Sequence, residues 1–261
     1  MYPPQKRRDV LFVTRSYLTF IFIAGNAMAG TVGPNSKPHY IRPLVTISAG
    51  VVAAKTGKTQ TLTMDGDFTE YRYQAGNSYS DKILGGVFIG EEVSLCPKWL
   101  LQLGLGLYIP GDFSSKGNLT EGIDEISSDT FSYNYKIRSR QLLVEGKLLS
   151  TMNKSFHPYV LLGLGAAFSE AYDYNPAVPP FLTFTPQFTD HQNVSFSYSV
   201  GAGLDVDLRK NWRLGLGYRF ADLGRADLGY GVIDVIPFAN TLKQSHLYAH
   251  QVMLQLTYLV I

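Results

Sequence analysis

Nine charged residues share a strand face with glycines and small polar groups: Glu92, Lys136, Arg138, Arg140, Glu145, Asp205, Asp207, Arg213 and Arg219. Charges in a narrow, low-dielectric interior need partners, so this set reads as a hydrogen-bonded salt-bridge network. A continuous ion path through the same residues is the alternative, but an eight-stranded wall encloses space that side chains can largely fill. The histidines are His39, His157, His191, His246 and His250, and none has a zinc-ligand spacing. His246 and His250 share a strand parity, but four extended residues place them about 13 Å apart. Ser245-His246 pairs a nucleophile type with a base type, yet adjacent strand residues point to opposite faces and the sequence supplies no acidic partner. No catalytic set, phosphate-binding loop or cofactor fingerprint is present, so the reading is non-enzymatic and without cofactor or metal.

These charges require strands to hold them. Leu101, Leu103, Leu105, Leu107 and Ile109 alternate with Gln102, Gly104, Gly106 and Tyr108, a period of two that a helix would scatter around its circumference. The same alternation recurs at about 40–53, 82–95, 130–149, 157–171, 194–208, 212–220 and 246–260. At 130–149, Phe131, Tyr133, Tyr135 and Ile137 oppose Lys136, Arg138 and Arg140, but Leu142 and Val144 then fall on the basic parity. A bulge between Ser139 and Leu142 is expected to restore the pattern.

One face is mostly glycine and small polar residues, while the other carries leucines and aromatics. A soluble ligand-binding barrel would put its large residues inside; the pattern here is the one expected in lipid. The fold class is therefore all-β: an eight-stranded antiparallel transmembrane β-barrel with four long extracellular loops and three short periplasmic turns. The long connections are 54–81, 110–130, 172–193 and 221–245; the short ones lie near 96, 153 and 210. Asp65-Gly66 is a hairpin signal, so Gln60–Met64 and Phe68–Tyr73 are expected to continue strands one and two as a ribbon above the membrane. Trp99 and Trp212 sit near one rim with outward parity, Tyr133, Phe168 and Tyr172 near the other, and Tyr159 points inward.

Lys6, Arg7, Arg8 and Arg15 precede an apolar stretch from Tyr17 to Gly25 and the small-residue pattern Ala27-Met28-Ala29. This is the order of a cleaved signal peptide over 1–29, followed by a short N-terminal segment, 30–39, and a barrel domain, 40–261. Removing residues 1–29, with four basic residues and one acidic, takes 23 basic and 21 acidic side chains to 19 and 20, a formal charge of −1. That balance gives no reason to expect nucleic-acid binding. Cys96 is the single cysteine, which excludes an intramolecular disulfide.

The runs LGLGYRFADLG at 214–224, VLLGLGAAF at 160–168 and VGAGLDVDL at 200–208 resemble the late strands of OmpA-like and opacity-protein-like outer-membrane β-barrels. The resemblance implies a Gram-negative outer-membrane location, with both mature termini periplasmic, and partners in outer-membrane lipid, lipopolysaccharide and the barrel assembly machinery. It also implies a filled interior and a role as adhesin, immune-evasion protein, structural barrel or, less often, lipid-modifying enzyme; a small-solute pore is a further alternative. Ile261 stands where such chains usually end in phenylalanine.

Within the connections, three prolines in Pro176 to Pro180 lead into Phe181, Phe184 and Phe188, and the last long connection carries Tyr230 and Phe238. Aromatic side chains held by prolines suit recognition of a host or envelope protein ligand. Packing among the loops is the other use for the same residues.

Overall fold

The computed structural model describes residues 41–63, 70–76, 79–123, 129–151, 155–178, 186–233, 236–238 and 240–260. The signal-peptide and N-terminal segments expected over 1–39, and the Asp65-Gly66 turn, lie outside the described residues. The strands are β1 (Ile41–Lys55), β2 (Gln60–Thr63), β3 (Glu70–Ala75), β4 (Tyr79–Cys96), β5 (Trp99–Pro110), β6 (Phe113–Glu121) and β7 (Asp129–Ser150). They continue as β8 (Phe156–Ala177), β9 (Gln187–Phe188), β10 (His191–Arg209), β11 (Trp212–Asp222), β12 (Gly231–Ile233), β13 (Ile236–Phe238) and β14 (Tyr248–Leu259).

Eight of them close a ring in the order β1, β4, β5, β7, β8, β10, β11, β14, every neighbouring pair antiparallel. Closure is visible at Val45, which stands opposite Ile89 on β4 and Tyr258 on β14. With no free edge in the ring, backbone donors and acceptors are satisfied by neighbouring strands, which is the condition for crossing hydrocarbon. Leu103, Leu105, Leu107, Val160, Leu162, Leu254 and Leu256 are exposed on the outside. Gln102, Tyr108, Tyr159, Gln251 and Gln255 are buried inside. The polarity is the inverse of a soluble core, and the eight expected membrane strands are the eight of the ring.

Both described termini and the turns Pro97-Lys98 and Lys210-Asn211 lie at one end, here termed the turn end. Thr151 ties the neighbouring connection to the first turn, donating from its amide to Lys98 O and from its hydroxyl to Pro97 O. Trp99 and Trp212 are exposed at this end, Trp212 with its ring 5.0 Å from that of Tyr258.

At the opposite, loop end the long connections carry strands of their own. A bilayer-crossing strand needs about 9–11 tilted residues, whereas β7 and β8 have 22 each and run well past the apolar belt. β6, in a segment expected to be loop, pairs with the first half of β7, and β3 pairs with β6. β2 and β3 do form the expected hairpin, from Gln60 opposite Tyr73 to Thr63 opposite Glu70. The ribbon is not a continuation of the first two barrel strands, however; it joins the sheet through β6. Gly57, at φ 81°, redirects the chain after β1, and Thr56 Oγ1 donates to Ser114 O near the start of β6.

The bulge expected at Ser139 to Leu142 is absent. Burial alternates without interruption through Tyr133, Tyr135, Ile137, Ser139, Gln141, Leu143, Glu145, Lys147 and Leu149. The irregularity lies instead on β8, where Asp173 has φ 57° and the register with β7 shifts between Asn134 and Lys136. Lys136, Arg138 and Arg140 consequently face outward, which corrects their assignment to the lumen. The physical reason is a change of solvent along one strand: Leu142 and Val144 face hydrocarbon, whereas the same parity above them faces water. Inside and outside keep their places while their polarity exchanges.

Above the ring, Tyr73, Tyr133, Tyr174 and Phe188 form an aromatic core with ring separations of 5.4 Å (Tyr73 to Tyr133), 5.7 Å (Tyr73 to Phe188) and 5.1 Å (Tyr174 to Phe188). Leu119, Leu223, Leu228 and Leu242 belong to the same apolar cluster. The hairpin is tied across the loop end to the last connection: Lys243 N donates to Gln60 Oε1 at 3.1 Å, and Asn240 Nδ2 donates to Thr63 O.

Candidate functional site

The inward faces bring six of the nine expected lumen charges together: Glu92, Glu145, Asp205, Asp207, Arg213 and Arg219. Toward the turn end, Glu92 of β4 accepts from Arg42 Nη2 at 2.6 Å, Arg213 Nη1 at 2.7 Å and Gln102 Nε2 at 2.9 Å. Arg213 Nε reaches Asp207 Oδ1 at 2.8 Å, and His157 Nε2 meets the other oxygen of that carboxylate at 2.8 Å. Six strands are thereby cross-linked through two carboxylates.

A second layer is built on Lys147, whose Nζ lies 2.7 Å from Asp205 Oδ2, 3.2 Å from Gln255 Oε1 and 3.7 Å from the centre of the Tyr159 ring. Glycine makes room for that ring. A Cβ at Gly203 or Gly217 would collide with the Tyr159 phenol, so the small-residue face of β10 and β11 is the seat of a large side chain from β8.

The third layer joins Arg219 to Glu145 (Nη1 to Oε1, 2.7 Å) and to Gln251 Oε1 at 2.8 Å. The guanidinium stacks over Tyr108 at 3.5 Å, and the Tyr108 hydroxyl donates to the remaining oxygen of Glu145 at 2.7 Å. Between the second and third layers, Thr46, Phe88, Gln102, Leu161 and their neighbours enclose a cavity of about 20 Å³, room for roughly one water molecule. Charges of both signs are neutralised within hydrogen-bond distance, so the layers fill the bore.

Sequence reasoning missed several members of this network. Lys147 shares its parity with Glu145, and extending the alternation by one step identifies it; Gln255 already shares the inward face of the last strand with Met253 and Thr257. Arg42, Gln102 and His157 carry the same parity signal at their strand ends, but nothing in their spacing names a partner.

Two of the outward trio, Arg138 and Lys136, enter a separate rim cluster. Arg138 donates Nε and Nη2 to the two oxygens of Asp112, each at 3.1 Å, and Nη1 to Glu170 Oε2 at 3.2 Å. Tyr172 also donates its hydroxyl to Asp112, and Lys136 pairs with Asp173 at 2.7 Å. The Arg138 hydrogen bonds hold the Asp112 carboxyl below its ordinary pKa, against the opposing effect of partial burial.

The aromatic residues expected to act in recognition have different placements. Phe181 and Phe184 lie outside the described residues. Phe188 is buried between Tyr73 and Tyr174, a correction to its reading as a surface anchor: its ring completes the apolar interior that the extended strands enclose. Tyr230 is exposed. Phe238 pairs through its backbone with Gly231, and its side chain lies outside the described residues. His246 has an acidic partner after all: its Nδ1 is 2.7 Å from Asp222 Oδ2, while Asp222 Oδ1 accepts from the Gly224 amide at 2.9 Å. The strand pairing brings in an acid 24 positions away, which no local pattern could supply.

A closed antiparallel wall, apolar outside and polar inside, defines a transmembrane β-barrel. The chain matches the outer membrane protein beta-barrel domain family over residues 42–258 and belongs to that family. Its place is therefore the Gram-negative outer membrane, in contact with that membrane's lipid and lipopolysaccharide. Solved structures similar to it include the outer membrane protein OprG from Pseudomonas aeruginosa, at 14% identity and TM-score 0.49, covering 82% of this chain and 95% of that one. The outer membrane protease OmpT from Escherichia coli is similar at 10% identity and TM-score 0.47, over 86% and 99%. Neisserial surface protein A is similar at 8% identity and TM-score 0.43, over 83% and 96%. No curated protein matches the chain.

Proposed function

We propose that this barrel is a non-conducting, non-enzymatic scaffold that presents its loop end outside the cell for recognition of a host or envelope ligand. The observation that carries the reading is the loop end's own hydrophobic core: Tyr73, Tyr133, Tyr174 and Phe188 pack above a lumen already filled by salt bridges. A pore would gain nothing from such a cover. A recognition surface gains rigidity, because ordered loops lose less entropy on binding than free ones.

In this reading residues 1–29 are a cleaved export signal, 30–39 a short lead-in and 40–261 the barrel, inserted by the assembly machinery with both termini periplasmic. Tyr230, exposed beside β12, is available for contact; Phe181, Phe184 and Phe238 are proposed to add to it. In this reading the Asp222–His246 pair, with His246 stacked on Tyr248, is a structural tie between β11 and the start of the last strand.

Trypsin added to intact cells tests the orientation. The expected result is cleavage at Arg72 or Lys116 in the loop-end extension, with Lys98 and Lys210 cut only after the outer membrane is permeabilised. The reverse order overturns the proposal.

A further inference from the structure

Where β10 begins, its first residues and the connection after β11 border a cleft of about 290 Å³, near the lower end of small-ligand pockets. Its floor is backbone. Gly229 N donates to Thr189 O at 2.8 Å, and Tyr230 O accepts from both the amide and the hydroxyl of Thr189, at 3.1 and 3.3 Å. A Cβ at Gly229 would run into Thr189, so glycine lets the two segments close. The Tyr230 backbone is thereby fixed, while the residue stays 54% exposed in the cleft wall.

The walls are polar, and their hydrogen-bonding capacity is only partly used. Asp190 Oδ1 accepts from the amide of Asp173 at 3.1 Å, the residue whose φ of 57° breaks the regular course of β8. Asn193 Nδ2 donates to Asp227 O at 3.2 Å, and the Asp227 carboxylate is taken by Gln244 N at 2.6 Å and by Arg225 at 3.5 Å. Among the described residues, Asp190 Oδ2, Asn193 Oδ1 and the His191 ring carry no hydrogen bond.

An exposed aromatic ring beside unused acceptors and donors complements a sugar. A pyranose has an apolar C–H face that stacks on such a ring and a rim of hydroxyls, each able to donate and accept. A wholly apolar ligand would leave Asp190 and Asn193 unpaired. A sulfated or phosphorylated one would meet two carboxylates and a guanidinium that already has an acid beside it, so like charge opposes it. We propose that this cleft binds a neutral pyranose unit of a glycan outside the barrel's own membrane, with its C–H face on Tyr230 and its hydroxyls between Asp190 and Asn193. Access to such glycans rests on the loop end facing outward, as proposed above.

The test is a glycan array probed with the folded protein in detergent, each variant first checked for the heat-modifiable migration of the intact barrel. The array carries lactose, maltotriose and chitotriose, with sialyllactose, a heparin hexasaccharide and the polysaccharide released from lipopolysaccharide beside them. At least one of the three neutral sugars should be retained above the other probes. Tyr230→Ala should lower that retention about tenfold, the upper end of an aromatic stacking contribution, whereas Tyr230→Phe, which keeps the ring, should hold it. Asp190→Ala should lower it by about as much, through the loss of a charge-assisted contact. Arg72→Gln, an exposed change on β3, should leave it unaltered. Retention led by sialyllactose, heparin or the lipopolysaccharide polysaccharide, no retention of any neutral sugar, equal binding by Tyr230→Ala, or an equal loss in Arg72→Gln would overturn the assignment. Purified protein exposes both ends, so an inverted barrel registers in the trypsin experiment and leaves this readout intact. A folded barrel blind to the neutral sugars, with the expected cleavage order on cells, overturns the sugar site and leaves outward presentation standing.

Discussion

Arg213 and Glu92 stand 121 positions apart in the chain and meet at 2.7 Å in the barrel interior, both almost wholly buried. The pair joins the last third of the ring to its second strand. Breaking one side strands a charge: Glu92→Ala leaves Arg213 and Arg42 without their shared acceptor. The expected loss is about 3–5 kcal/mol, read as a lower urea midpoint for the folded, heat-modifiable form. An unchanged midpoint would show that solvent reaches the pair.

Leu105→Arg puts a charge on the lipid face between Ile89 of β4 and Val144 of β7, where the outward wall is apolar. The expected cost is about 2–4 kcal/mol near the bilayer midplane, seen as reduced folding yield into lipid vesicles. Arg140→Leu, at the polar boundary, should fold with the yield of the unmodified protein.

Asp112 gives the loop end a pH dependence. Its folded carboxyl titrates below the ordinary value of 3.8 because Arg138 hydrogen-bonds the charged form. The contribution is therefore complete above the unfolded carboxyl's range and is lost as pH falls through the folded value. Amide protection at Phe113 and Ser114, corrected for intrinsic exchange, should hold through the ordinary carboxylate range and drop only as pH falls below it. Asp112→Asn should flatten that profile.

Phe188→Ala should open the loop end without opening the barrel. Phenylalanine-to-alanine changes in a core cost about 3–5 kcal/mol, here confined to the aromatic cluster. Protease cleavage near 186–190 should rise while the barrel's thermal transition holds. A surface anchor would give unchanged cleavage.

The alternation in 101–109, 160–168 and 200–208 was enough to read the ring, its strand count and the inward placement of Glu145, Asp205, Arg213 and Arg219. It failed at Lys136, Arg138 and Arg140, because a rule tying polarity to facing assumes one solvent along the whole strand. β7 passes from lipid to water, and the same parity carries leucine below and arginine above. Phe188 was misread for a related reason: a loop rich in aromatics looks identical whether it displays them or folds over them. The Asp222–His246 pair was invisible because only the register of β11 with β14 brings the acid near.

The central claim is that the salt-bridged layers and their aromatic cover close the barrel. Single-channel conductance of the purified, heat-modifiable protein in a planar bilayer tests it most directly. The account predicts a correctly folded barrel that is silent across the voltage range; reproducible unitary conductance from the same preparation would contradict it.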